Sequence, residues 1–446
     1  MMDTKEFTVK NRTKQIFILS MLIVLVADFI TQMQEGQHFA TIYYDYGYTH
    51  WYDFFQPYIN AQTMTDSYAG EIYPPLGMLI FRILKPFMSF DYQFGDHTFA
   101  RNDPAMVQLF MTITVTTAVA YAWIVSNQVR GSKPIRFLMA ICSVLVFPFL
   151  FGMERGNTIL FALIFLMLFA FYKDSENKVI RELSLVALAL SAALKMYPAI
   201  FGLILLAEKR YKEALRCVLY GLILYLLPFA FFGGFSQIAV MVKNIAGFSG
   251  DEKLHFIYFP ELLAPLRLLL LHESADTGIV LMIPTWAEVL STWAPLLLAI
   301  IAVFVLKERW KKWFVLMLPL CSLPGISTVY TFLFMMIPLV MLMNQERIRP
   351  LNYAYLAPTC MAMLPITYSI SVPTYISYYN KIEMFLTLSG YDKLCVDSTE
   401  KLSVCVFLSY LATSVLFVIV LADCILTLAN NRKHPVKDIG LTPDFT

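Results

Sequence analysis

The sequence predicts an all-α polytopic membrane protein, and three observations support that fold class. Of its 446 residues 58% are apolar and only 15% are charged, and the mean hydropathy is +0.63. Soluble domains carry roughly a quarter charged residues, because their surfaces need them. Several uncharged windows approach the roughly 20 residues that a helix needs to cross a bilayer. A water-soluble fold is therefore excluded, and we expect one integral membrane domain over residues 1–446.

Ordinary spans are predicted at the apolar windows that carry at most one charge, because a helix leaves no backbone hydrogen bond open in lipid. The first window is not followed by a small-residue cleavage site, so it is expected to remain as a signal anchor. Core helices are expected over 105–233 and C-terminal helices over 285–430. The predicted spans are Ile16–Ile30, Ala105–Val125, Phe137–Met153, Thr158–Tyr172, Val218–Phe232, Val289–Leu306, Leu351–Ser371 and Ser403–Ala422.

Two longer apolar stretches do not fit a single span and are predicted to be bent. Leu183–Ala207 is apolar except for Lys195, and Pro198 just after it would break a helix. Trp313–Asn344 runs uncharged around Pro324, too long for one span and short for two. We expect a broken or re-entrant element at Lys195 and a helix pair with a tight bend at Pro324. The total is then about 10–12 transmembrane helices.

The basic residues predict the orientation of the chain, since cytoplasmic loops are enriched in Lys and Arg. The clusters all fall on one side if both bent stretches enter and leave from the cytoplasm. The opposite side then receives the outer loop 34–104, the loops 233–284 and 372–401, and the turn Glu154–Asn157. We expect functional residues on that outer side. The basic clusters are Lys5–Lys14, Arg130–Arg136, Lys173–Arg181, Lys209–Arg216, Lys307–Lys312, Arg347–Arg349 and Arg432–Lys437.

The outer loop 34–104 is rich in Tyr, Trp, Phe, Asp and Gln, a composition suited to a membrane interface. Its segment Asp53–Ala61 has apolar and aromatic residues at the spacing of a short helix lying on the membrane surface. Tyr73–Met88 predicts a second short helix beginning at Pro74 and Pro75, because proline is tolerated in a helix's first turn. The loop is therefore expected to carry interfacial helices.

An ordered series of motifs runs through the first half of the chain: an acid in an aromatic helix, a YPPL sequence, an RGN sequence at an outer turn, and a Lys-x-Tyr-Pro break. This order resembles the GT-C superfamily of membrane glycosyltransferases, and within it glycosyltransferase family 87, the polyprenyl-phosphate-mannose-dependent mannosyltransferases. The residues that carry the resemblance are Asp53, Tyr58, Ala61, Gly70, Tyr73, Pro74, Pro75, Leu76, Glu154, Arg155, Gly156, Asn157, Lys195, Met196, Tyr197 and Pro198.

The resemblance implies a GT-C type helical bundle and a hexosyltransferase reaction. A mannose-like hexose or a pentose would move from polyprenyl phosphate to an acceptor hydroxyl of a glycolipid or glycan, with inversion at the anomeric carbon. It also implies an integral protein of a bacterial plasma membrane whose active site faces the extracytoplasmic side. The expected partners are membrane lipids, the polyprenyl-phosphate sugar and the acceptor, and no cofactor is expected.

Such a reaction needs a base and fixed cations. A carboxylate must accept the proton of the attacking hydroxyl, and Asp53 is the candidate. Asp45 is a rival base, because a tyrosine-rich insert separates Asp53 from the first span. The departing phosphate gains negative charge, which Arg155 and Lys195 are expected to stabilise from two different helices. Supporting roles are open for Tyr73, Asn157 and Tyr197.

Each candidate also has a structural explanation. Asp53 could cap the interfacial helix, as Asp often does at a helix start. Arg155 could pair with the preceding glutamate or extend to lipid headgroups. Asn157 and Tyr197 could satisfy open backbone groups at helix breaks. Lys195 is the strongest candidate, because an ionisable side chain flanked by apolar residues is costly in a membrane and is functional by default.

Metal and nucleic-acid sites are not predicted. The histidines on the predicted outer side do not have the spacing of a metal motif. The balance of 34 basic and 32 acidic residues gives no basic face for nucleic acid. Seven scattered cysteines do not form a disulfide framework, and the sequence leaves a pairing of Cys395 with Cys405 open. The outer histidines are His38, His50, His97, His255 and His272.

Two other functions are consistent with the sequence. A transporter or flippase of lipid-linked saccharides would share the broken helices and the intramembrane Lys195, although no internal repeat is visible and the large outer loop is asymmetric. A ligase or polymerase of surface polysaccharide would use similar donors. Both are kept as alternatives to the glycosyltransferase.

Overall fold

A computed structural model confirms the predicted fold class. The regular secondary structure of its described residues is helical, apart from one two-stranded antiparallel pair. The structure describes residues 4–35, 51–64, 68, 71–87, 97–251, 262–263, 265–266, 285–322, 329–346, 348–366, 369–376 and 395–433.

The α-helices are numbered in chain order over these residues. They are α1 Thr4–Glu35, α2 Tyr52–Thr63, α3 Pro75–Ile83, α4 His97–Ala100, α5 Pro104–Gln128, α6 Lys133–Val144, α7 Phe147–Arg155, α8 Ile159–Tyr172, α9 Lys178–Leu194, α10 Leu203–Ala207, α11 Tyr211–Leu226, α12 Gln237–Asp251, α13 Thr285–Val305, α14 Arg309–Ser322, α15 Met336–Met343, α16 Pro350–Met363 and α17 Val404–Lys433. Short 3₁₀ segments occupy Lys85–Phe87, Tyr197–Gly202, Leu227–Phe231 and Val329–Met335. The strands are β1 Ser369–Ile376 and β2 Cys395–Ser403.

Several of the described helices are long and apolar enough to cross a membrane alone. By length and composition, four segments among the described residues can cross a membrane. Helices α6 and α7 are bent by 47° relative to each other and would make a fifth span if they cross together. Prolines and short breaks divide several other apolar windows into shorter helices. The four segments are Arg12–Ile30, Pro104–Gln128, Tyr211–Phe231 and Val404–Arg432. Shorter apolar helices are Ile159–Tyr172, Tyr197–Ala207, Val289–Val305 and Val329–Met343.

Proline determines where two of the apolar windows bend. The window Phe137–Met153 is divided between α6 and α7, and Pro148 lies in the first turn of α7, where its missing N–H is tolerated. The predicted break in Leu183–Ala207 is confirmed: α9 ends just before Lys195, and Pro198 lies in the first turn of the 3₁₀ segment that follows. Lys195 is therefore held at the end of a helix.

The predicted span Leu351–Ser371 is wrong in its second half. Helix α16 ends at Met363, and a strand begins at Ser369. Leu364 has φ −66° and ψ 126°, an extended conformation that the following Pro365 favours, because its ring disfavours the helical region in the residue before it. The proline thus ends this helix before it can complete a long span.

The second bent stretch, Trp313–Asn344, forms the helix pair that the sequence predicts. Helix α14 precedes Pro324 in the chain, and a 3₁₀ segment that leads into α15 follows it. Pro324 itself lies outside the described residues. Most side chains of both arms are buried, many of them in the largest apolar cluster, where the Trp313 ring stacks on Phe201 at a centroid distance of 4.9 Å.

The pairing of Cys395 with Cys405 is not tested, because the side chain of Cys395 lies outside the described ones. The Sγ atom of Cys405 lies 3.0 Å from the carbonyl oxygen of Leu364 and 2.8 Å from that of Ile366. This thiol therefore contacts the backbone between α16 and β1.

Helix connections from distant parts of the chain meet at one end of the bundle. The backbone N–H of Arg130 donates to Oδ1 of Asn344 at 2.9 Å, and Nδ2 of Asn344 donates to the carbonyl oxygen of Gln128 at 2.7 Å. The side chain of Gln128 also donates to the Tyr172 hydroxyl at 3.3 Å. The ends of α5, α8 and α15 therefore lie together.

A charge network joins further helices at the same end. Nζ of Lys173, which is 1% exposed, lies 2.7 Å from Glu208 and 2.9 Å from Asp174. Arg210 and Arg309 also pair with Asp174, at 2.6 and 2.9 Å. A buried charge is tolerated only when it is paired in this way. Several of the predicted cytoplasmic clusters thus converge on one end of the bundle, which we call the basic end.

Candidate active site

Helix α2, predicted over Asp53–Ala61, is attached to the end of α7. The backbone N–H of Trp51 donates to the carbonyl oxygen of Glu154 at 2.8 Å. Trp51 has φ 56°, a left-handed conformation that costs a bulky residue about 1–3 kcal/mol and persists only when the surroundings enforce it. The buried rings of Phe54 and Phe55 pack on neighbouring aromatic side chains and hold the helix in position.

The RGN sequence forms the turn between α7 and α8. Helix α7 ends at Arg155, and Gly156 follows with φ 68° and ψ 31°. The N–H of Gly156 donates to the carbonyl oxygen of Met153, and that of Asn157 to the carbonyl oxygen of Gly152, both at 2.9 Å. This is the way in which a glycine in the left-handed region ends a helix. The chain reverses there, with Arg155 and Asn157 on either side of the glycine.

No side chain fits at Gly156. A Cβ atom there would lie 2.9 Å from Cβ of Phe54 and 3.2 Å from Cα of Trp51. The positive φ would also strain any other residue. Glycine at this position therefore lets the turn approach the start of α2, which carries Asp53.

The carboxylate of Asp53 is held from two sides. Nη2 of Arg155 lies 2.6 Å from Oδ1, and Nε of Arg155 lies 3.4 Å from Oδ2. Nδ2 of Asn157 lies 2.6 Å from Oδ2. The N-cap position of α2 is Trp51, so Asp53 lies inside the first turn and the capping explanation is wrong. Asp53 is 7% exposed, and charged partners of this kind make strong hydrogen bonds.

The side chain of Asn157 contacts both the backbone of α8 and the carboxylate of Asp53. Its Oδ1 accepts the backbone N–H of Ile159 at 2.9 Å, in the first turn of α8. Because one end of the amide is occupied by that acceptor contact, the NH2 end must face Asp53. The side chain is 3% exposed. Asn157 therefore fixes the orientation of the Asp53 carboxylate relative to α8.

Lys195 reaches the same region from the end of α9. Its ammonium lies over the ring of Tyr73, 4.4 Å from the ring centroid, and the side chain is half-buried. The ammonium is close enough to Asp53 and Arg155 to interact with both charges. The Tyr73 hydroxyl contacts the backbone carbonyl oxygen of Asp53 at 3.4 Å. Residues from the YPPL, RGN and Lys-x-Tyr-Pro motifs thus converge on Asp53.

Two tyrosines lie on the side of this region formed by the bent stretches. Tyr197 interacts electrostatically with Asp53 and with Tyr330, and its hydroxyl is buried without a hydrogen-bond partner among the described residues. The Tyr330 ring stacks on Phe151 with centroids 6.1 Å apart. The sequence analysis did not select Tyr330 as a candidate site residue.

Glu71 is a buried acid that the sequence analysis missed. It is 3% exposed, and its carboxylate accepts a hydrogen bond from Nδ2 of Asn60 on α2. Burial raises the pKa of Glu71 to about 7, although the hydrogen bond from Asn60 opposes part of that rise. Asn244 on α12 donates to the backbone carbonyls of Tyr68 and Glu71 at 3.0 and 2.9 Å. The sequence signal that could have identified Glu71 is its position two residues before the YPPL motif.

Among the remaining candidates, Asp45 and the five outer histidines, the structure describes His97. Asp45 and four of the outer histidines lie outside the described residues, so the choice between Asp45 and Asp53 stays a prediction in favour of Asp53. His97 packs edge-on against the Tyr52 ring at 5.0 Å. Within the described ranges, no three His, Cys, Asp or Glu residues are arranged to hold a metal ion.

The site combines one carboxylate with two cations in a largely buried setting. Asp53 can accept a proton through the lone pairs that Arg155 and Asn157 leave open, since a carboxylate has about four acceptor positions. Lys195 has no carboxylate within 4.0 Å in the part of the chain that the structure describes. The side chains Asp53, Arg155 and Lys195 therefore carry one surplus positive charge, which suits an anionic ligand.

Comparison with known proteins gives one match. A model of glycosyltransferase family 87 matches residues 72–335, which is more than half of the chain. The match includes Tyr73, Arg155, Asn157 and Lys195, and Asp53 precedes it. No curated protein and no solved structure matches the chain.

Proposed function

We propose a reaction for this chain from one premise: it belongs to glycosyltransferase family 87, and it is therefore a membrane glycosyltransferase. In the proposed reaction a mannose-like hexose, or a pentose, moves from polyprenyl phosphate to an acceptor hydroxyl of a glycolipid or glycan. The enzyme is then a hexosyltransferase of the GT-C type that uses a lipid-linked donor and needs no metal ion.

The observation that carries the proposal is the carboxylate of Asp53 held by Arg155 and Asn157 beside the ammonium of Lys195. A sugar phosphodiester of a polyprenol carries one negative charge. The surplus positive charge of Asp53, Arg155 and Lys195 taken together is also one. A diphosphate-linked donor would bring a second negative charge that these side chains do not balance. The charge count thus favours a monophosphate donor.

The proposed chemistry is a single displacement. The acceptor oxygen attacks the anomeric carbon, and Asp53 accepts the hydroxyl proton as that bond forms. The bond between the anomeric carbon and the phosphate oxygen breaks, and polyprenyl phosphate leaves with the electron pair. Arg155 and Lys195 stabilise the negative charge that develops on the phosphate, because fixed cations in a site poor in water are most effective there. One displacement inverts the configuration at the anomeric carbon.

The charge distribution supports a site on the extracytoplasmic side of a plasma membrane. Helix α8 begins two residues after Asn157 and ends beside Lys173, so about 20 Å separates Asp53 from the basic end. The enrichment of Lys and Arg in cytoplasmic loops puts the basic end in the cytoplasm. Asp53 then faces the other side, where polyprenyl-linked sugars serve surface glycans.

A donor panel tests the proposal. The purified protein is incubated with polyprenyl-phosphate mannose, hexoses and pentoses, and with the corresponding diphosphates, together with membrane glycolipid extracts. We expect transfer from at least one monophosphate donor and none from the diphosphates. Transfer only from diphosphates would overturn the donor assignment. Movement of the intact donor across vesicles without any transfer would identify a flippase instead.

A further inference from the structure

We propose that Tyr73 is a positioning residue that holds the ammonium of Lys195 toward the donor phosphate through its ring face. This inference deepens the proposed function and rests on it. It assigns a role to the tyrosine of the YPPL motif that depends on the ring and not on the hydroxyl.

The backbone of Tyr73 is fixed, and this limits the positions that its ring can take. Pro74 follows the residue directly and restricts its backbone to extended conformations, and α3 begins at Pro75. Its carbonyl oxygen accepts a hydrogen bond from the Tyr68 hydroxyl. Helix α3 packs against α9, and the Tyr73 ring lies beside the ammonium of Lys195, the residue that follows α9.

The backbone of Lys195 is fixed as well, but its side chain is long and flexible. Its N–H donates to the carbonyl oxygen of Ser191 at 3.0 Å, and φ −144° with ψ 118° marks the end of the helix. The four-carbon side chain then needs a contact that limits where the ammonium lies. The Tyr73 ring, 4.4 Å away, supplies that contact.

A ring face suits this purpose better than a carboxylate would. An ion pair would neutralise the ammonium and occupy its N–H groups. A cation over an aromatic ring is attracted to the ring but keeps its charge, and its N–H groups on the side away from the ring stay available to a phosphate. The contact therefore aims Lys195 without competing with the donor.

The same side chain joins both halves of the site. While the Tyr73 ring lies under Lys195, its hydroxyl contacts the backbone of Asp53 at 3.4 Å. That contact is long, so we expect it to contribute little. The ring contact is the one whose loss matters.

The test measures binding of undecaprenyl phosphate, the leaving group without a sugar, to the full-length protein in detergent. We expect Tyr73→Phe to bind within about twofold of the parent and Tyr73→Leu to bind about fivefold more weakly. Lys195→Gln should weaken binding at least as much. If the ring acts through the ammonium, Tyr73→Leu should weaken binding no further in a Lys195→Gln background.

Kinetics give a second readout. Tyr73→Leu should raise the donor KM more than it lowers kcat, and Tyr73→Phe should restore both. Equal loss in the Phe and Leu variants would overturn the proposal, since the hydroxyl would then be the important group. Additive losses in the double variant would overturn it too. A parent protein that neither binds undecaprenyl phosphate nor transfers any sugar would instead contradict the proposed function.

Discussion

Asn157 and Asp53 are 104 positions apart in the chain, yet Nδ2 of one lies 2.6 Å from Oδ2 of the other. The contact joins the first turn of an outer-loop helix to the turn between two core helices. Arg155 makes a parallel contact from the other side of Gly156. Orientation of Asp53 therefore depends on a single three-residue turn.

Replacement of Asp53 by Asn should abolish transfer while the fold persists. Asn keeps the shape and one acceptor oxygen, but it cannot accept the proton of the attacking hydroxyl. We expect kcat to fall by about a thousandfold, the size of a typical general-base contribution. Sugar transfer from the active donor measures the loss, and undecaprenyl phosphate binding should persist.

A matched control for that variant is Asp103→Asn at the start of α5. Oδ1 of Asp103 accepts the N–H of Ala105 at 2.9 Å, and Asn caps a helix about as well as Asp. Transfer by this control should stay near that of the parent protein. An Asp53→Asn variant with comparable activity would remove Asp53 from the mechanism and return attention to Asp45.

Replacement of Asn157 by Asp should inhibit the enzyme through charge. The new carboxylate would still accept the N–H of Ile159, but it would face Asp53 at hydrogen-bond distance. Two carboxyl groups that close share one proton at neutral pH, so the base is occupied. We expect a loss of about a hundredfold in kcat at pH 7. Asn157→Ser retains a capping oxygen without the second charge and should lose less, and equal losses would contradict the charge argument.

Replacement of Gly156 by Ala should reduce both stability and activity. The added Cβ would lie 2.9 Å from Cβ of Phe54 in a backbone conformation with φ 68°. We expect a cost of about 1–3 kcal/mol in the free energy of unfolding. Gly77→Ala, inside α3 with no atom within 4 Å of the new Cβ, should be neutral or stabilising. Thermal unfolding and a transfer assay measure the stability and activity of both variants. Equal stability and activity of Gly156→Ala and Gly77→Ala would contradict this prediction.

Much of this arrangement could be predicted from the sequence where local chemistry decides it. Proline chemistry correctly predicts the helix that starts at Pro75 and the break after Lys195. The same chemistry ends α16 at Met363, but an apolar window alone did not reveal it. Apolar composition measures the environment of a segment, and it does not measure how many residues stay helical. Several predicted windows are therefore divided between shorter helices.

Contacts between distant segments could be predicted only in part. The motif order indicated that Asp53, Arg155 and Lys195 share a site, and their convergence is observed. That Arg155 pairs with Asp53 directly, and that Lys195 lies over Tyr73, depends on how helices pack. Sequence spacing carries no information on such side-chain directions across 100 residues.

The buried Glu71 makes stability depend on pH in a defined direction. Burial raises its pKa to about 7 from an ordinary value of 4.5, so the folded state binds a proton more tightly than the unfolded state. The free energy of unfolding should therefore fall as pH rises from about 4.5 to 7 and level off above that. The shift corresponds to about 3 kcal/mol. Glu71→Gln keeps an acceptor for Asn60 and removes the titration.

The difference in the free energy of unfolding between the parent protein and Glu71→Gln isolates the effect of Glu71 from that of every other titrating group. Unfolding of the parent and of Glu71→Gln is followed in detergent from pH 4.5 to 8. Near pH 4.5 the two stabilities should be closest, because the glutamic acid is then neutral in the folded state and only about half-ionised in the unfolded state. Above pH 7 the variant should be more stable, since it has no charge to bury beside Tyr68. Parallel stability curves over the whole range would show that Glu71 is solvated, and its burial between α2 and α12 would then be wrong.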